Sequence, residues 1–320
     1  MTKTIILIPS RLGASRLPNK PLLKINNKSL INHVYEKGQS TNVGQVYVAT
    51  GDKEIYEEVV KNNGNCILTK KNHSTGTDRI FEAYEQLNFQ DIDYIINLQG
   101  DEPLINKNDI INLNNLAKKN NSEIATLACM LENKDIENQN VVKVICDEKI
   151  EKNKLSPAKK FLRSVSSESS KNIYHHIGIY IYKVSILKKF ISLKQSPNEI
   201  HLKLEQLRAI DNNIKIDVIF SKSSPTGVDT HEDFMEIKKL MEYVKQYGCL
   251  KVIKTNDPRK NIRVSLEKTN EHSYPAIQTC VLNGVKPELV IKYSNEPCVF
   301  HNEPKIVMAH GMYGFPYYDK

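Results

Sequence analysis

The sequence of 320 residues contains no run of 18 apolar residues, which is the minimum length expected of a membrane-spanning helix. Its N-terminal segment also lacks the apolar stretch and small-residue cleavage site of a secretory signal. These two absences argue against a protein with a membrane-spanning helix and against a secreted protein. They predict a cytoplasmic protein that does not bind membranes.

The cysteines are few, and none is paired in the sequence. They stand at positions 66, 129, 146, 249, 280 and 298, with no C-x-x-C pair and no histidine at a ligand-like spacing. Neither a zinc site nor a disulfide framework is indicated, so we expect mostly buried thiols.

The chain also lacks a block of five or six like charges. Lysine and arginine number 45 against 37 aspartate and glutamate residues, for a net charge of +8. Because these cations are spread along the chain, the excess is typical of a solvated surface. It argues against nucleic acid as a partner.

Short β-branched runs alternate with segments of helical period in the first part of the chain. "TIILIP" precedes such a segment at 30–37, "QVYVAT" one at 55–61, "CIL" one at 79–87, and "YIINLQ" one at 110–118. Apolar strands separated by helices predict an α/β fold with a mostly parallel sheet covered on both faces. Ligands bind such sheets at the carboxyl ends of the strands.

The periodic pattern also predicts where the first domain ends. It loosens over 147–172, resumes at "HHIGIYIYK", and finishes with a helix at 231–246. We therefore predict one domain over 1–248. Residues 249–320 contain several Pro and Gly turns and predict a separate extension that is mostly β or irregular.

The stretch "IPSRLGASRLPNKPL" at 8–22 follows the first predicted strand and suits phosphate binding. Small residues allow backbone N–H groups to approach phosphates, and Arg11, Arg16 and Lys20 supply positive charge. The stretch matches neither the dinucleotide-binding nor the P-loop motif. An isolated basic loop is most often a solvated turn, but a place at the end of a buried strand favours phosphate binding.

Two aspartates are candidate metal ligands. Asp101 follows the strand "YIINLQ", and a carboxylate there can hold a divalent ion against phosphates, although a simple Gly-Asp turn is the alternative. Asp229 precedes a helix that Thr230 and Asp233 are spaced to cap. Asp229 is therefore one residue too early to be the cap, which leaves it available to a ligand.

Seven motifs between residue 3 and about 247 occur in a specific order. They are "IPSRLGASRLPNKPL" (8–22), "HSTGTDR" (73–79), "NLQGDEPLI" (97–105), "NVVKVI" (140–145), "HIGIYIY" (176–182), "SPNEIHLKLEQLRAI" (196–210) and "GVDTHEDF" (227–234). Together they closely resemble the 3-deoxy-manno-octulosonate (Kdo) cytidylyltransferases of bacterial lipopolysaccharide synthesis.

This resemblance implies a Rossmann-like nucleotidyltransferase, usually a homodimer, that joins CTP and Kdo with Mg²⁺ and releases pyrophosphate. The site residues that it implies are Arg11, Ser15, Arg16 and Lys20 for the triphosphate; Thr75, Gly76, Arg79 and Gln99 for the cytidine; Asp101 and Asp229 for the metal; and Arg163, His176, Glu205 and Gln206 for the acidic sugar. Lys20, Asp101 and Asp229 are the residues with an implied catalytic role.

The chain departs from this pattern in two places. "FLRSVSS" stands at 161–167, where the resembled family usually has Phe-Ser-Arg-Ser-Pro-Ile-Pro. Arg163 is kept, but losing the stiff Ile-Pro pair gives the backbone more freedom, which bears on sugar specificity or turnover more than on nucleotide binding. Residues 249–320 have no counterpart.

The residues leave some alternatives open. The substrate can be another acidic 2-keto sugar, or the chain can be a catalytically weakened nucleotide-binding protein. His176 has a core hydrogen-bonding role as its alternative, and Glu205 and Gln206 can be polar groups of a packed helix. Tyr180 and Tyr182 are expected to pack within the sheet.

Overall fold

The computed structural model describes residues 2–13, 16–164, 171–223, 227–247, 249–254, 262–267, 298–300 and 306–307. The chain divides into two compact units. One comprises residues 1–24 and 28–227, and the other comprises residues 25–27 and 228–320.

Strands and helices alternate from residue 28 to residue 130, as the periodicity predicts, and the alternation stops after that point. The strands are β1 (Thr4–Ser10), β2 (Lys24–Ile25), β3 (Lys28–Ser29), β4 (Val46–Thr50), β5 (Cys66–Leu68), β6 (Tyr94–Asn97), β7 (Ile124–Met130), β8 (Lys143–Cys146), β9 (Leu155–Leu162), β10 (Ile173–Lys183) and β11 (Ile216–Phe220). The helices are α1 (Leu30–Ser40), α2 (Lys53–Lys61), α3 (Gly76–Leu87), α4 (Lys107–Lys119), α5 (Val184–Ser192), α6 (Pro197–Leu202) and α7 (Leu207–Asp211). Short 3-10 helices cover Lys20–Leu22 and Asn133–Asp135.

A nine-stranded sheet in the order β5-β4-β1-β6-β10-β7-β11-β9-β8 forms the centre of the first unit. β5, β4, β1 and β6 run parallel to one another, and β11 runs parallel to β7. The predicted α/β fold is confirmed, but the sheet is more mixed than the sequence pattern indicated. β10 is antiparallel to both β6 and β7, and β9 is antiparallel to β11 and β8. No periodic helix separates β8, β9 and β10, so the alternation that predicts parallel pairing stops before them.

The long strand β10 closes part of this sheet on itself. Its last residues pair with β6, while Ile173, Tyr174 and His175 pair with β8 on the same side. Since β8 also pairs with β9, the strands β10, β7, β11, β9 and β8 form a closed ring. We call these five strands the ring.

Apolar side chains cover both faces of the sheet, as predicted. In β1, Ile6 and Ile8 belong to one buried cluster, whereas Ile5 and Leu7 belong to the other. The first cluster includes side chains from α1, α2 and α4, and the second includes side chains from α3 and α5. Cys129 and Cys146 are buried free thiols, and Cys66 is half-buried. Within the described residues, no helix is long and apolar enough to span a bilayer.

The second unit contains helix α8 (His231–Tyr247) and an antiparallel sheet of β12 (Cys249–Lys254), β13 (Ile262–Glu267), β14 (Cys298–Phe300) and β15 (Ile306–Val307). These strands agree with the β character predicted for the extension. The two compact units divide at residue 227, and the predicted domain boundary near Gly248 stays a prediction. Periodicity locates a helix but does not tell which unit it packs with. Whether 1–248 folds alone stays a prediction.

A buried ion pair fixes the corner between α6 and α7. Ser196 and Glu199 form a capping box at the start of α6. Arg208 donates its Nε to Glu199 Oε2 at 2.9 Å and its Nη2 to Oε1 at 2.6 Å, and its guanidinium lies 4.6 Å from the centre of the Phe190 ring. Burial alone would raise the pKa of Glu199, but the hydrogen bonds from Arg208 and other donors hold that pKa below its usual value.

We expect Glu199→Gln to lower the free energy of unfolding by about 3 kcal/mol, because it leaves the Arg208 charge buried without its partner. Urea denaturation at pH 7 measures this loss. The lowered folded-state pKa of Glu199 makes the wild-type advantage complete above its unfolded-state pKa, and the advantage declines as the pH falls towards the folded value. Glu36→Gln, which breaks the exposed pair with Lys28, is the control and should cost less than about 1 kcal/mol. Equal losses in both variants would contradict the assignment.

Candidate functional site

The predicted phosphate loop leaves the carboxyl end of β1 and is fastened to the end of β4. In the parallel pairing of these strands Ser10 lies opposite Thr50, so both chains emerge at one edge of the sheet. Asp52, only 7 % exposed, accepts the N–H of Leu12 at 2.8 Å. Sequence reasoning missed Asp52, although its place just after β4 was a usable signal. Arg11 and Arg16 are exposed in this loop, whereas Ser15 lies outside the described residues.

Lys20 and Asp101 meet at the same edge. Lys20 Nζ donates to Asp101 Oδ2 at 2.7 Å, in a half-buried ion pair. Lys20 begins the 3-10 helix after the loop, and Asp101 lies in the turn after β6, which pairs in parallel with β1. The fold thus brings together a predicted phosphate ligand and a predicted metal ligand that are far apart in sequence.

The start of α3 forms the next wall of the site. Thr75 caps the helix in a capping box with Asp78, which fixes the direction in which the chain enters. Gly76 lies against the first strand, since a Cβ at this position would stand 3.2 Å from Pro9 Cγ. These two predicted cytidine-side residues therefore lie beside the phosphate loop.

Arg79 forms hydrogen bonds to the neighbouring loop 69–71. Its side chain is 4 % exposed and donates to Thr69 Oγ1 at 2.7 Å, Lys70 O at 3.1 Å and Lys71 O at 3.0 Å. This loop packs so closely on the end of β4 that a Cβ at Gly51 would lie 2.6 Å from Lys71 Cα. The observed contacts make Arg79 a support of loop 69–71, and its contact with cytidine stays a prediction.

Glu82, one turn further along α3, also holds this loop, and sequence reasoning missed it. Its carboxylate pairs with His73 and accepts the N–H of Lys70 at 3.1 Å. Burial opposes the charged form, but the hydrogen bonds from His73 and the Lys70 backbone lower the pKa of Glu82 overall. The shape of the loop therefore depends on a charged Glu82.

Gln99 lies between the predicted nucleotide-binding residues and strand β10. Its Nε2 donates to Asn97 Oδ1 at 3.3 Å, and Asn97 in turn donates to Thr77 Oγ1 at 3.3 Å. Its Cγ lies 3.8 Å from the position that a Cβ at Gly178 would occupy. Gln99 therefore stands between α3 and the strand that carries His176.

Two buried oxygen atoms lie unpaired on the β10 side of the site. Neither the Tyr180 hydroxyl nor Glu205 Oε1 has a hydrogen-bond partner among the described residues. Burial raises the pKa of Glu205, although the hydroxyls of Thr77 and Thr75 act in the opposite direction. Tyr180 packs against other rings as expected, yet its hydroxyl lacks the partner that a buried polar group normally has. These atoms indicate a place for a polar ligand.

His176 lies in β10, with its ring 5.4 Å from the ring of Tyr180. It is 8 % exposed, its Nε2 is 3.0 Å from Thr126 Oγ1, and its ring meets Phe161 edge to face at 5.1 Å. Burial, helped by His175, lowers the pKa of His176 to about 3. The imidazole is therefore neutral at physiological pH, and it can exchange hydrogen bonds with a ligand without adding charge.

Arg163 holds the corner that carries Glu205 and Gln206. Its Nε donates to Leu202 O at 2.7 Å, its Nη2 to Lys203 O at 3.1 Å, and its Nη1 to Gln139 O at 3.1 Å. These bonds use three of the five guanidinium N–H groups, which leaves one on each Nη. The role of Arg163 in sugar binding stays a prediction, and residues 165–167 of the altered stretch 161–167 lie outside the described residues.

Asp229 belongs to the second unit and lies just before α8. Thr230 and Asp233 form the predicted capping pair: Asp233 Oδ2 accepts the Thr230 N–H at 2.8 Å, and Thr230 Oγ1 accepts the Asp233 N–H at 3.2 Å. Asp229 donates its own N–H to Asp233 Oδ2 at 3.0 Å. It is thus not the capping residue, as expected, and its convergence with Asp101 stays a prediction.

Carboxylates do not form a preassembled metal cage in the described part of the chain. No group of three or more His, Cys, Asp or Glu side chains there is arranged to hold a metal ion. A divalent ion bound through one or two aspartates would therefore take its other ligands from phosphate oxygens and water.

Comparisons with known proteins identify relatives of this chain. Residues 5–216 match the family model described as cytidylyltransferase. The 3-deoxy-manno-octulosonate cytidylyltransferase of Bartonella bacilliformis is 39% identical over 241 residues, covering 75% of this chain and 98% of that protein. The protein of the same name from Thermodesulfovibrio yellowstonii is 42% identical over 255 residues, covering 74% and 98%.

A solved structure gives the same relationship. It is described as CMP:2-keto-3-deoxy-manno-octonic acid synthetase complexed with CTP, and it is 33% identical with a TM-score of 0.69. The similarity covers 75% of this chain and 99% of that chain. The relatives are thus matched over nearly their whole length.

We expect His176 to remain neutral in the folded protein between pH 8 and pH 5, because its pKa is lowered to about 3. Its imidazole NMR shifts should stay constant over this range. In urea the same residue should titrate near 6.5. The unfolded chain therefore binds more protons between these two pKa values, so His176 makes stability fall as the pH drops from about 6.5 towards about 3. A folded-state midpoint near 6.5 would contradict the burial described above.

Proposed function

The chain belongs to the 3-deoxy-manno-octulosonate cytidylyltransferase family, and from this membership we propose that it transfers CMP from CTP to the anomeric hydroxyl of Kdo. The products are CMP-Kdo, for lipopolysaccharide synthesis, and pyrophosphate. The observation that carries the proposal is identity of about 40% across nearly the full length of relatives that bear this name.

The nucleotide side of the site supports this reaction. Arg11, Arg16 and Lys20 offer charge to a triphosphate at the carboxyl end of β1, and Asp52 fastens the loop that carries them. The sugar hydroxyl must attack the α-phosphorus in line with the departing pyrophosphate. Catalysis then consists of positioning and charge stabilisation, and it requires no nucleophilic side chain.

The β10 side suits a hydroxyl-rich acid. The unpaired oxygens of Tyr180 and Glu205 can exchange hydrogen bonds with sugar hydroxyls. The neutral imidazole of His176 can do the same, and the two remaining Nη hydrogens of Arg163 suit a carboxylate. Gln206 follows Glu205 in the corner that Arg163 holds, and its contact with the sugar belongs to this proposal.

We propose Mg²⁺ as the cofactor, with Asp101 and Asp229 as its protein ligands. The donor set fits, because the Asp101 carboxylate lies beside Lys20 at the phosphate edge and hard oxygen ligands suit this ion. When bound, the ion would screen the phosphates and polarise the attacked group. Lys20 would then donate to a phosphate oxygen in place of Asp101.

The family expectation of a homodimer and a cytoplasmic location belongs to this proposal as well. A different acidic 2-keto sugar is the alternative substrate, favoured only by the altered stretch "FLRSVSS". A weakened nucleotide-binding protein is the second alternative.

A pyrophosphate-release assay distinguishes these alternatives. With CTP and Mg²⁺, we expect rapid release with Kdo and a much lower kcat/KM with neuraminate-type acids. A reversed preference would identify the other sugar as the substrate. CTP binding by calorimetry without release from any acid would identify a nucleotide-binding protein.

We expect Asp101→Asn and Asp229→Asn each to lower kcat at least a hundredfold, or about 2.7 kcal/mol of barrier, while the protein stays folded. The double variant should lose much less than the sum, because both residues serve one ion. Calorimetry should also show weaker Mg²⁺ binding in the presence of CTP. Asp91→Asn, which affects only an exposed pair with Lys3, is the matched control and should keep full turnover. Near-normal kcat in a folded variant would exclude that aspartate as a ligand.

A further inference from the structure

A buried lysine lies behind the sugar side of the proposed site. Lys143 is in strand β8 and is 0 % exposed. Its Nζ donates to Asn138 O at 2.6 Å and to Arg163 O at 3.0 Å. No carboxylate of the described residues lies within ion-pair distance of it, and Asp135 acts on it only through space. Burying an ammonium costs free energy, and here two main-chain carbonyls replace part of the lost hydration.

Those two hydrogen bonds connect two segments of the chain through Lys143. Lys143 holds the main chain of Arg163 where β9 ends, and it also holds Asn138. The side chain of Arg163 then donates to Gln139 O, next to Asn138, and to Leu202 O and Lys203 O at the end of α6. Lys143 and Arg163 therefore tie the end of β9, loop 138–139 and the end of α6 into one unit.

The end of α6 determines where the predicted sugar contacts lie. Lys203 ends α6 in the left-handed conformation, at φ 52°, so the chain turns sharply there before Glu205 and Gln206. Glu205 in turn lies near Thr75 and Thr77 at the start of α3. A shift of the Arg163 guanidinium would therefore move the sugar contacts directly, and would reach the nucleotide side only through Glu205.

We propose that Lys143 is a positioning residue for binding of the acidic sugar, because its buried ammonium fixes Arg163 and, through it, the corner that carries Glu205 and Gln206. The identity of the sugar rests on the proposed function. The positioning role rests on the hydrogen bonds themselves.

The kinetic test uses Lys143→Met in the full chain, since methionine keeps an unbranched apolar stem and removes the donors. We expect KM for Kdo to rise at least tenfold while KM for CTP changes less than twofold. Lys143→Gln, whose shorter side chain keeps an N–H donor, should give a smaller rise. Lys118→Met removes a lysine bond to the Thr2 carbonyl elsewhere and is the matched control, with no change in either KM. An unchanged KM for Kdo, or equal rises for both substrates, would overturn the proposal.

Hydrogen exchange without substrates tests the same idea independently of the reaction. In Lys143→Met, the amides of Leu204 and Leu207 should exchange faster than in wild type, while the amide of Leu12 in the phosphate loop should not change. If wild type uses no Kdo, the proposed function fails, and the exchange pattern alone decides the positioning role. Uniformly faster exchange, or unfolding of both Lys143 variants, would show that Lys143 supports the whole fold and would overturn the proposal.

Discussion

The parallel pairing of β1 with β4 and β6 is the constraint on which the nucleotide side depends. Because of this pairing, the segments that follow Ser10, Thr50 and Asn97 all leave the sheet at the carboxyl ends of its strands. Backbone N–H groups, cations and carboxylates are thereby crowded together before any ligand binds. Two hydrogen bonds stabilise this arrangement. The Leu12 N–H donates to Asp52, and Lys20 donates to Asp101.

The β10 side is organised by a different principle. β10 is antiparallel to β6 and β7, and its register with β7 shifts between Ile177 and Tyr180. The Thr126 hydroxyl fills this irregularity, within 2.7 Å of Ile179 O and 3.0 Å of His176 Nε2. Polar atoms here are fixed by burial and by neighbours in the sheet. The nucleotide side, in contrast, is built from loops, so the two halves of the site differ in how far they can adjust.

Sequence reasoning predicted what local pattern determines. The alternation of apolar strands and helices located β1, β4, β5 and β6, and the cap spacing of Thr230 and Asp233 matched the observed start of α8. It did not predict the antiparallel strands, because their direction depends on pairings between distant residues. Asp52, Glu82 and the Glu199–Arg208 pair were missed for the same reason: only the folded chain shows which groups a buried charge meets. The unit to which α8 belongs is likewise a matter of packing, which periodicity does not encode.

The ring has a consequence for how the folded chain meets other chains. Because β8 is paired on both sides, β5 is the one open edge of the nine-stranded sheet among the residues that the structure describes. That strand is three residues long, and the carbonyl of Leu68 accepts a hydrogen bond from Gln86. A strand of another chain would therefore find few unpaired main-chain groups with which to form hydrogen bonds. The topology of this sheet thus limits edge-to-edge aggregation, a task that charged or proline residues perform in other edge strands.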